Sequence, residues 1–165
     1  MSGASEDDGS KACPPILVLD TNVVLDWLLF RDPRCDGLGA AIASGRLRWI
    51  ASASMHDELR HVLARGIVSR RAGDPAAVLQ GWDRWAALVV PWDRPSLRPL
   101  RCSDGDDQMF IDLALQVRAS ALLSRDRAVL KLARCADTHG LKILTVEAWQ
   151  RQPSAPAAEQ DPRNG

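Results

Sequence analysis

Short apolar runs alternate with helical patterns of apolar and polar residues along most of this chain. The first run, Ile16–Leu19, is apolar at every position, which is typical of a central parallel strand covered on both faces. Strand runs that alternate with helical patterns indicate βαβ units. We therefore expect an α/β fold of three layers, α/β/α, built on a mostly parallel central sheet of four to five strands.

The same pattern predicts approximate bounds for the elements. The predicted strands are at residues 16–19, 47–51, 88–90, 121–123 and 142–144. The predicted helices are at residues 21–29, 38–44, 54–64, 107–118, 126–136 and 146–150, and a further one begins at Asp74-Pro75 and has an apolar stripe ending at Ala86. Ser54 and Asp57 are spaced as a capping box at the start of the third helix, and residues 91–103 are predicted to form a loop.

The two ends of the chain differ in composition from its middle. Residues 1–14 are mostly small and polar, and residues 152–165 are rich in Pro, Ala and polar residues. We expect disordered tails at both ends and one domain at residues 15–151. No apolar run approaches the roughly 20 residues that span a bilayer, and the N-terminus lacks the features of a secretion signal. We therefore expect a cytoplasmic protein with no membrane partner.

The charge is balanced over the whole sequence but not along it. The formal net charge is zero, with 21 Lys and Arg against 21 Asp and Glu, which argues against a nucleic-acid partner. The two ends hold five of the acids and two of the bases, which leaves 19 basic and 16 acidic residues between them. If four of these acids bind metal ions, the remaining surface is clearly basic and rich in arginine, which suits phosphate. A genome-wide compositional bias explains the arginines equally well.

Cysteine and histidine give no metal or redox signal. The four cysteines lie far apart without a CxxC pair, so neither a zinc site nor a disulfide framework is indicated, and we expect reduced thiols. His56 and His61 are five residues apart and would point to different sides of a helix.

Four acidic residues are predicted to meet at one edge of the sheet. Asp20 and Asp126 follow strands, and ligands of open parallel sheets bind beyond the carboxyl ends of the strands. Glu58 falls on the apolar flank of its helix, and Asp107 follows a loop that contains Gly105. Each acid also has a simpler interpretation, since Asp commonly caps a helix that follows a strand and Glu58 could belong to a capping box or face solvent.

Taken together, these carboxylates would repel one another and raise one another's pKa unless a cation neutralised them. Ligands that are all oxygen favour Mg²⁺ or Mn²⁺ over zinc. Such an ion makes a water more acidic, so that the water can attack phosphorus without a protein nucleophile. No GxSxG motif or paired Cys and His suggests such a nucleophile.

Four segments resemble the successive acidic motifs of PIN-domain nucleases. They are VLDTNVVLD, MHDELRHVL, DGDDQMFIDLALQ and LLSRDRAVLKLA, and their order and spacing match over residues 16 to about 147. The resemblance implies a PIN-like fold with a Rossmann-like parallel sheet and a metal-dependent endoribonuclease, with Asp20, Glu58, Asp107 and Asp126 as catalytic metal ligands. It is closest to the VapC-like toxins of toxin–antitoxin pairs, which implies a possible cognate antitoxin and a homodimer.

Some residues around these motifs have supporting or uncertain roles. Asn22 belongs to the first motif, and Ser124 stands where many relatives have Thr, so the hydroxyl is kept. Asp107 is chosen as the third ligand because Ala114 follows it seven residues later, as in the family's D-x₆-A pattern, and Asp106 is the second choice. The loop arginines that could contact the phosphates of an RNA substrate, or be merely solvated, are Arg31, Arg34, Arg98 and Arg101.

Other functions are compatible with parts of this pattern. The first alternative is a catalytically silent PIN-fold module that binds RNA or a protein. A haloacid-dehalogenase-type phosphatase is less favoured, because it needs an acid two residues after Asp20, where the chain has Asn22. A response-regulator receiver would need a lysine after a late strand, and we find none there.

Overall fold

Five parallel strands form the centre of the fold, in the order β3-β2-β1-β4-β5. The computed structural model describes residues 12–66, 73–92 and 100–153. The strands are β1 (Ile16–Leu19), β2 (Arg48–Ala51), β3 (Ala86–Leu88), β4 (Ala121–Leu123) and β5 (Lys142–Leu144). Every pair of neighbouring strands is parallel. The predicted parallel sheet of four to five strands is therefore confirmed.

Helices flank this sheet. They are α1 (Thr21–Leu28), α2 (Asp36–Ala43), α3 (Ala53–Ala64), α4 (Pro75–Trp85), α5 (Gln108–Gln116), α6 (Arg127–Leu130), α7 (Ala133–Asp137) and α8 (Val146–Gln150), with one-turn 3₁₀ helices at Pro33–Cys35 and Gly105–Asp107. Helices α1, α3, α4 and α5 form one group, in which α1 contacts α3 and α4, and α3 contacts α5. Helices α2 and α8 form a second pair. The arrangement agrees with the expected three-layer α/β/α fold.

The core is centred on β1 and β4. Leu17, Val18 and Leu19 are at most 1% exposed, and Leu122 and Leu123 are fully buried, as expected for inner strands with partners on both sides and helices on both faces. Burial of each such side chain stabilises the fold by roughly 1.5–3 kcal/mol. The sheet is therefore a rigid support for whatever lies at its edges.

Strand register sets the position of the polar residues at the carboxyl edge. Leu19 of β1 pairs with Leu123 of β4, so the next residues, Asp20 and Ser124, leave the sheet side by side. The chain passes from β1 to β2 on one side and reaches β4 on the other side of β1. Such a change of direction opens a crevice at the carboxyl ends of the strands, where open α/β sheets bind ligands.

The third strand lies two residues earlier than predicted. Ala86, which the sequence placed in the stripe of the preceding helix, instead pairs with Trp49 of β2, and Leu88 is the last residue of the strand. Helix α4 passes directly into β3 at Ala86. The N–H of Ala86 bonds to the carbonyl of Trp82 as in a helix, while the backbone of Ala86 is already extended. Pairing with β2 overrides the helical period of the local sequence.

Two helix predictions are also corrected. The N-cap of α3 is Ser52 and not Ser54, and instead of a capping box the Ser52 and Ser54 hydroxyls bond to each other at 2.9 Å. The single helix predicted at residues 126–136 is two short helices, α6 and α7. They are separated by a tighter turn, in which the N–H of Leu132 bonds to the carbonyl of Val129, three residues back.

The predicted tails cannot be compared with the structure, because residues 1–11 and 154–165 lie outside the described residues. The same is true of residues 93–99 in the predicted loop. The boundaries of the predicted domain at 15–151 therefore stay a prediction. None of the helices in the described ranges is long and apolar enough to cross a membrane.

Replacing Leu122 by Ala tests the central position of β4. We expect Leu122→Ala to lower the free energy of unfolding by about 2–5 kcal/mol, because it leaves a cavity in a closely packed core. The matched control is Leu88→Ala on the edge strand, where the side chain is 60% exposed and the change should stay within about 0.5 kcal/mol. Urea unfolding of both variants measures the difference, and equal losses would contradict this arrangement of the core.

Candidate functional site

Asp20 is the predicted site acid that the fold buries most deeply. It follows β1 and is 3% exposed. Its Oδ2 accepts hydrogen bonds from the Ser124 hydroxyl at 2.6 Å and from Nδ2 of Asn22 at 3.1 Å. Burial raises the pKa of Asp20 most strongly, the Ser124 hydrogen bond lowers it, and the charge of Asp126 raises it again, with a net rise. The neutral donors therefore compensate the buried charge only in part.

Ser124 connects two of the predicted acids through one oxygen atom. Its fully buried Oγ donates to Asp20 and accepts a hydrogen bond from the backbone N–H of Asp126 at 2.9 Å. The next residue is tied to the same site, because the backbone N–H of Arg125 donates to Oδ1 of Asn22 at 3.2 Å. The two predicted supporting residues, Asn22 and Ser124, thus join the end of β1 to the loop after β4.

Asp107 is the acid whose charge is least compensated. It is half-buried at the end of the 3₁₀ turn that precedes α5. Burial, followed by the charges of Asp20 and Asp126 and then those of Asp104 and Asp106, raises the pKa of Asp107 to about 7. All of these charges are carboxylates, and Asp107 accepts no hydrogen bond from another of the described residues. Three acids far apart in the sequence, Asp20, Asp107 and Asp126, therefore lie close enough to act on one another electrostatically.

Glu58 and Asp106 are less closely connected to this group. Glu58 is half-buried on α3, which packs against α1 and α5, and across the described ranges its carboxylate has no hydrogen bond or ion pair. Asp106 is exposed. In the part of the chain that the structure describes, no three His, Cys, Asp or Glu side chains are arranged to hold one metal ion. The roles of Glu58 and Asp106 as ligands stay predictions.

The helix-cap interpretation fits only one of the three coupled acids. Oδ1 of Asp126 accepts a hydrogen bond from the backbone N–H of Ala128 at 2.7 Å, which is an N-cap contact for α6. Asp20 and Asp107 also precede helices, but their side chains form no cap hydrogen bond. The backbone N–H groups of Thr21 and Asn22 nevertheless lie near enough to Asp20 to lower its pKa. Capping therefore accounts for Asp126 more fully than for the other two acids.

Arg34, one of the predicted RNA-binding arginines, is already engaged by carboxylates. Its Nε and Nη2 donate to Asp32, and its Nη1 donates to Oε1 of Glu147 at 2.7 Å. The hydrogen bonds from Arg34 lower the pKa of Asp32 to about 2. Phosphate binding by Arg34 would therefore have to break existing ion pairs. The remaining predicted arginines are Arg31 and Arg101, both exposed, and Arg98, which lies outside the described residues.

Arg125 and Asp26 form an ion pair beside the site. Neither residue was among the predicted site residues. Nε of Arg125 lies 3.3 Å from Oδ2 of Asp26. Burial raises the pKa of Asp26, and the charge of Arg125 partly offsets the rise. The position of Arg125 between Ser124 and Asp126 was a signal available in the sequence, whereas its pairing with Asp26 depends on the fold.

Comparison with known families identifies the class of protein. A family model described as PIN domain matches residues 16–128, more than half of the chain. The chain belongs to the PIN domain family. The matched segment runs from β1 into α6 and includes all four predicted ligands, whereas β5 and α8 follow it. No curated protein matches the sequence.

Membership of the PIN domain family confirms the predicted fold family and implies a nuclease-like hydrolase. PIN domains are typically metal-dependent nucleases, which places this chain in a family of nuclease-like hydrolases that use divalent ions and bind nucleic acid. The match does not extend to the toxin subgroup.

Substitutions of Ser124 test how the PIN domain holds Asp20. Ser124→Ala removes a donor to a buried carboxylate and leaves the N–H of Asp126 without its acceptor, so we expect a loss of about 1–3 kcal/mol in the free energy of unfolding. Ser124→Thr keeps the hydroxyl and should retain most of this stability. Urea unfolding at neutral pH compares the two variants with the unmodified protein. An unchanged midpoint in Ser124→Ala would contradict the role of the hydroxyl.

The pKa of Asp107 predicts how stability depends on pH in the metal-free protein. Since the folded-state pKa is about 7 and the ordinary value is 3.8, the folded protein retains a proton that the unfolded chain releases between these values. Ionisation of Asp107 therefore destabilises the fold progressively over this interval, and fully above pH 7. We expect Asp107→Asn to raise the Tm in chelator above pH 7 and to leave it nearly unchanged below pH 3.8.

The control for this experiment is Asp106→Asn, which removes an exposed neighbouring carboxylate. It should produce a smaller rise in Tm, because Asp106 is the weakest of the charges that raise the pKa of Asp107. Thermal unfolding across the pH range measures both variants. An equal effect of Asp107→Asn at both ends of the range would show that charge is not the cause.

Proposed function

We propose that this PIN domain is an endoribonuclease that hydrolyses RNA phosphodiester bonds with Mg²⁺ or Mn²⁺. The observation that carries the proposal is the mutual electrostatic influence of Asp20, Asp107 and Asp126 at the carboxyl edge of the sheet, which contributes to a pKa of about 7 for Asp107. A divalent cation bound between these carboxylates would remove their repulsion. The proposal therefore gives a reason for an otherwise unfavourable group of charges.

The donor atoms fit a hard divalent ion. Asp20, Asp107 and Asp126 would supply carboxylate oxygens, and Glu58 and Asp106 are further candidates. Because the described side chains do not already surround one point, the carboxylates would have to rotate toward a common ion. The chemistry that a bound Mg²⁺ or Mn²⁺ supplies is activation of a water molecule and stabilisation of charge on the phosphate.

The three acids differ in how freely they can move. Asp20 is held by Ser124 and Asn22, and Oδ1 of Asp126 is engaged by the backbone, whereas its Oδ2 accepts no hydrogen bond from any of the residues described. Asp107 accepts no hydrogen bond within the described part of the chain, so a change of rotamer breaks no such contact. We infer that Asp20 and Asp126 would hold a bound ion with little movement of their own and that Asp107 would complete the ligand set by a change of rotamer.

The finer parts of the proposal are supported by sequence resemblance. The choice of RNA as substrate and a role as the toxin of a toxin–antitoxin pair follow from the VapC-like motifs, and a cognate antitoxin would then be a partner. A homodimer and a cytoplasmic location stay predictions.

A catalytically silent PIN domain that binds RNA or a protein is the second candidate. The observation in its favour is that no three acidic side chains form a ready metal site in the described ranges. The two candidates differ in one measurable property, which is turnover.

The decisive experiment is RNA cleavage by purified protein with controlled metal. We expect cleavage with Mg²⁺ or Mn²⁺, loss in excess chelator and recovery when the ion is restored. Asp20→Asn should lower the rate by at least about 100-fold, because it removes a fixed ligand of the ion that stabilises the transition state. The matched control is Asp83→Asn on the exposed side of α4, which should cleave like the unmodified protein.

The outcomes of this experiment separate the candidates. Equal cleavage by Asp20→Asn, or cleavage that persists in chelator, would reject the metal mechanism. Binding of RNA without turnover in either ion would favour the silent module.

A further inference from the structure

Arg125 is built into the backbone of the candidate site. It stands between Ser124 and Asp126, and both neighbours take part in the hydrogen bonds around Asp20. Its own N–H donates to Oδ1 of Asn22 at 3.2 Å, while Nδ2 of Asn22 donates to Asp20. The Cα of Arg125 is thus held at a fixed place on the edge of the sheet, one residue from each of two site residues.

The guanidinium of Arg125 lies beside one carboxylate and donates no hydrogen bond within the described residues. Its closest contact joins Nε to Oδ2 of Asp26 at 3.3 Å; the Asp26 side chain is 14% exposed and the Arg125 side chain is 56% exposed. Nη1 and Nη2 therefore keep their hydrogen-bonding capacity. A partly exposed ion pair of this kind contributes little to stability, so a purely structural role is a weak reason for the arginine.

Arg34 lines the same recess as Arg125. It provides an internal comparison, because its guanidinium is engaged by different acids. All three of its guanidinium nitrogens donate to carboxylates, two to Asp32 and one to Glu147. Those acids and Asp26 line the recess of about 150 Å³ beside Arg125. Three carboxylates and two arginines line the recess, so we expect a phosphate to reach Arg125 from the solvent side, where its side chain is 56% exposed.

We propose that Arg125 binds a phosphate of the nucleic-acid strand next to the bond that is cut, and that Asp26 is its positioning residue. Asp26 holds Nε and restricts the side chain, while Nη1 and Nη2 form a planar pair of donors that matches two phosphate oxygens. Ordering the guanidinium before the strand binds reduces the entropy lost on binding. This inference rests on the proposed nuclease function, because it places the phosphate beside the candidate metal centre.

Arg125→Gln tests the phosphate contact through the salt dependence of binding. The probe is a fluorescein-labelled single-stranded oligoadenylate in CaCl₂, in which an oxygen-ligand site can be filled by Ca²⁺. Fluorescence anisotropy at a series of KCl concentrations gives the Kd. We expect Arg125→Gln to weaken binding by about fivefold to tenfold and to reduce the slope of log Kd against log salt by about 0.7, the value for one phosphate contact on a single strand.

Three further variants separate charge from geometry. Arg125→Lys should keep the salt slope but bind more weakly than the unmodified protein, because lysine has no planar pair of donors. Asp26→Asn should also keep the slope and weaken binding by a smaller factor, because only the anchor is lost. The matched control is Arg134→Gln on α7, an exposed arginine that should change neither Kd nor slope.

The possible results distinguish this inference from the proposed function. If the unmodified protein cleaves RNA with Mn²⁺ but Arg125→Gln keeps its Kd and slope, the phosphate contact is wrong and the nuclease proposal is unaffected. If the unmodified protein does not cleave RNA but Arg125→Gln shows the expected reduction in salt slope, the phosphate contact stands and the nuclease proposal fails. A lower Tm in Arg125→Gln with an unchanged slope would assign Arg125 a structural role and overturn the inference.

Discussion

The hydrogen bond from Ser124 to Asp20 holds a carboxylate inside the edge of the sheet, and the geometry of the site depends on it. Parallel pairing of β1 with β4 places the two residues side by side, and the 2.6 Å contact then joins them. The same oxygen accepts the N–H of Asp126, so one hydroxyl fixes two acids from different parts of the chain. A hydrogen bond to a charged group contributes roughly 1.5–3 kcal/mol, yet the pKa of Asp20 remains raised.

The rest of the fold tolerates this unfavourable charge because the sheet beneath it is well packed. Leu19 and Leu123, which precede Asp20 and Ser124, are at most 1% exposed. Strain and uncompensated charge persist in proteins only where the surrounding structure determines the conformation. Here the inner strands provide that constraint, and the loop before α5 brings Asp107 toward the same edge. The stability of the fold therefore comes from the core of the sheet, whereas the candidate site lies at the carboxyl edge of the same sheet.

The sequence predicted those features that depend on local patterns. Unbroken apolar runs located β1 and β4, and the rule that parallel strands share a carboxyl edge placed Asp20 near Asp126. Features that depend on long-range pairing were not predicted. The start of β3 is determined by Trp49 of β2, which the pattern around Ala86 does not contain. The position of Glu58 relative to the other acids depends on how α3 packs, and residue spacing gives no information on that packing.

The arginines show the same limit for side chains. Arg34 and Arg125 have the same chemistry, and the sequence favoured Arg34 because it lies in a loop. Whether a guanidinium is free depends on which acids lie beside it. For Arg34 these are Asp32, two residues away, and Glu147, 113 residues away, and for Arg125 it is Asp26, 99 residues away. The acids differ in the same way. Asp126 accepts a cap hydrogen bond from α6. Asp20 and Asp107 lack such a contact, and burial together with neighbouring carboxylates raises the pKa of both. A bound cation of the kind proposed would offset the unfavourable charge of these two residues.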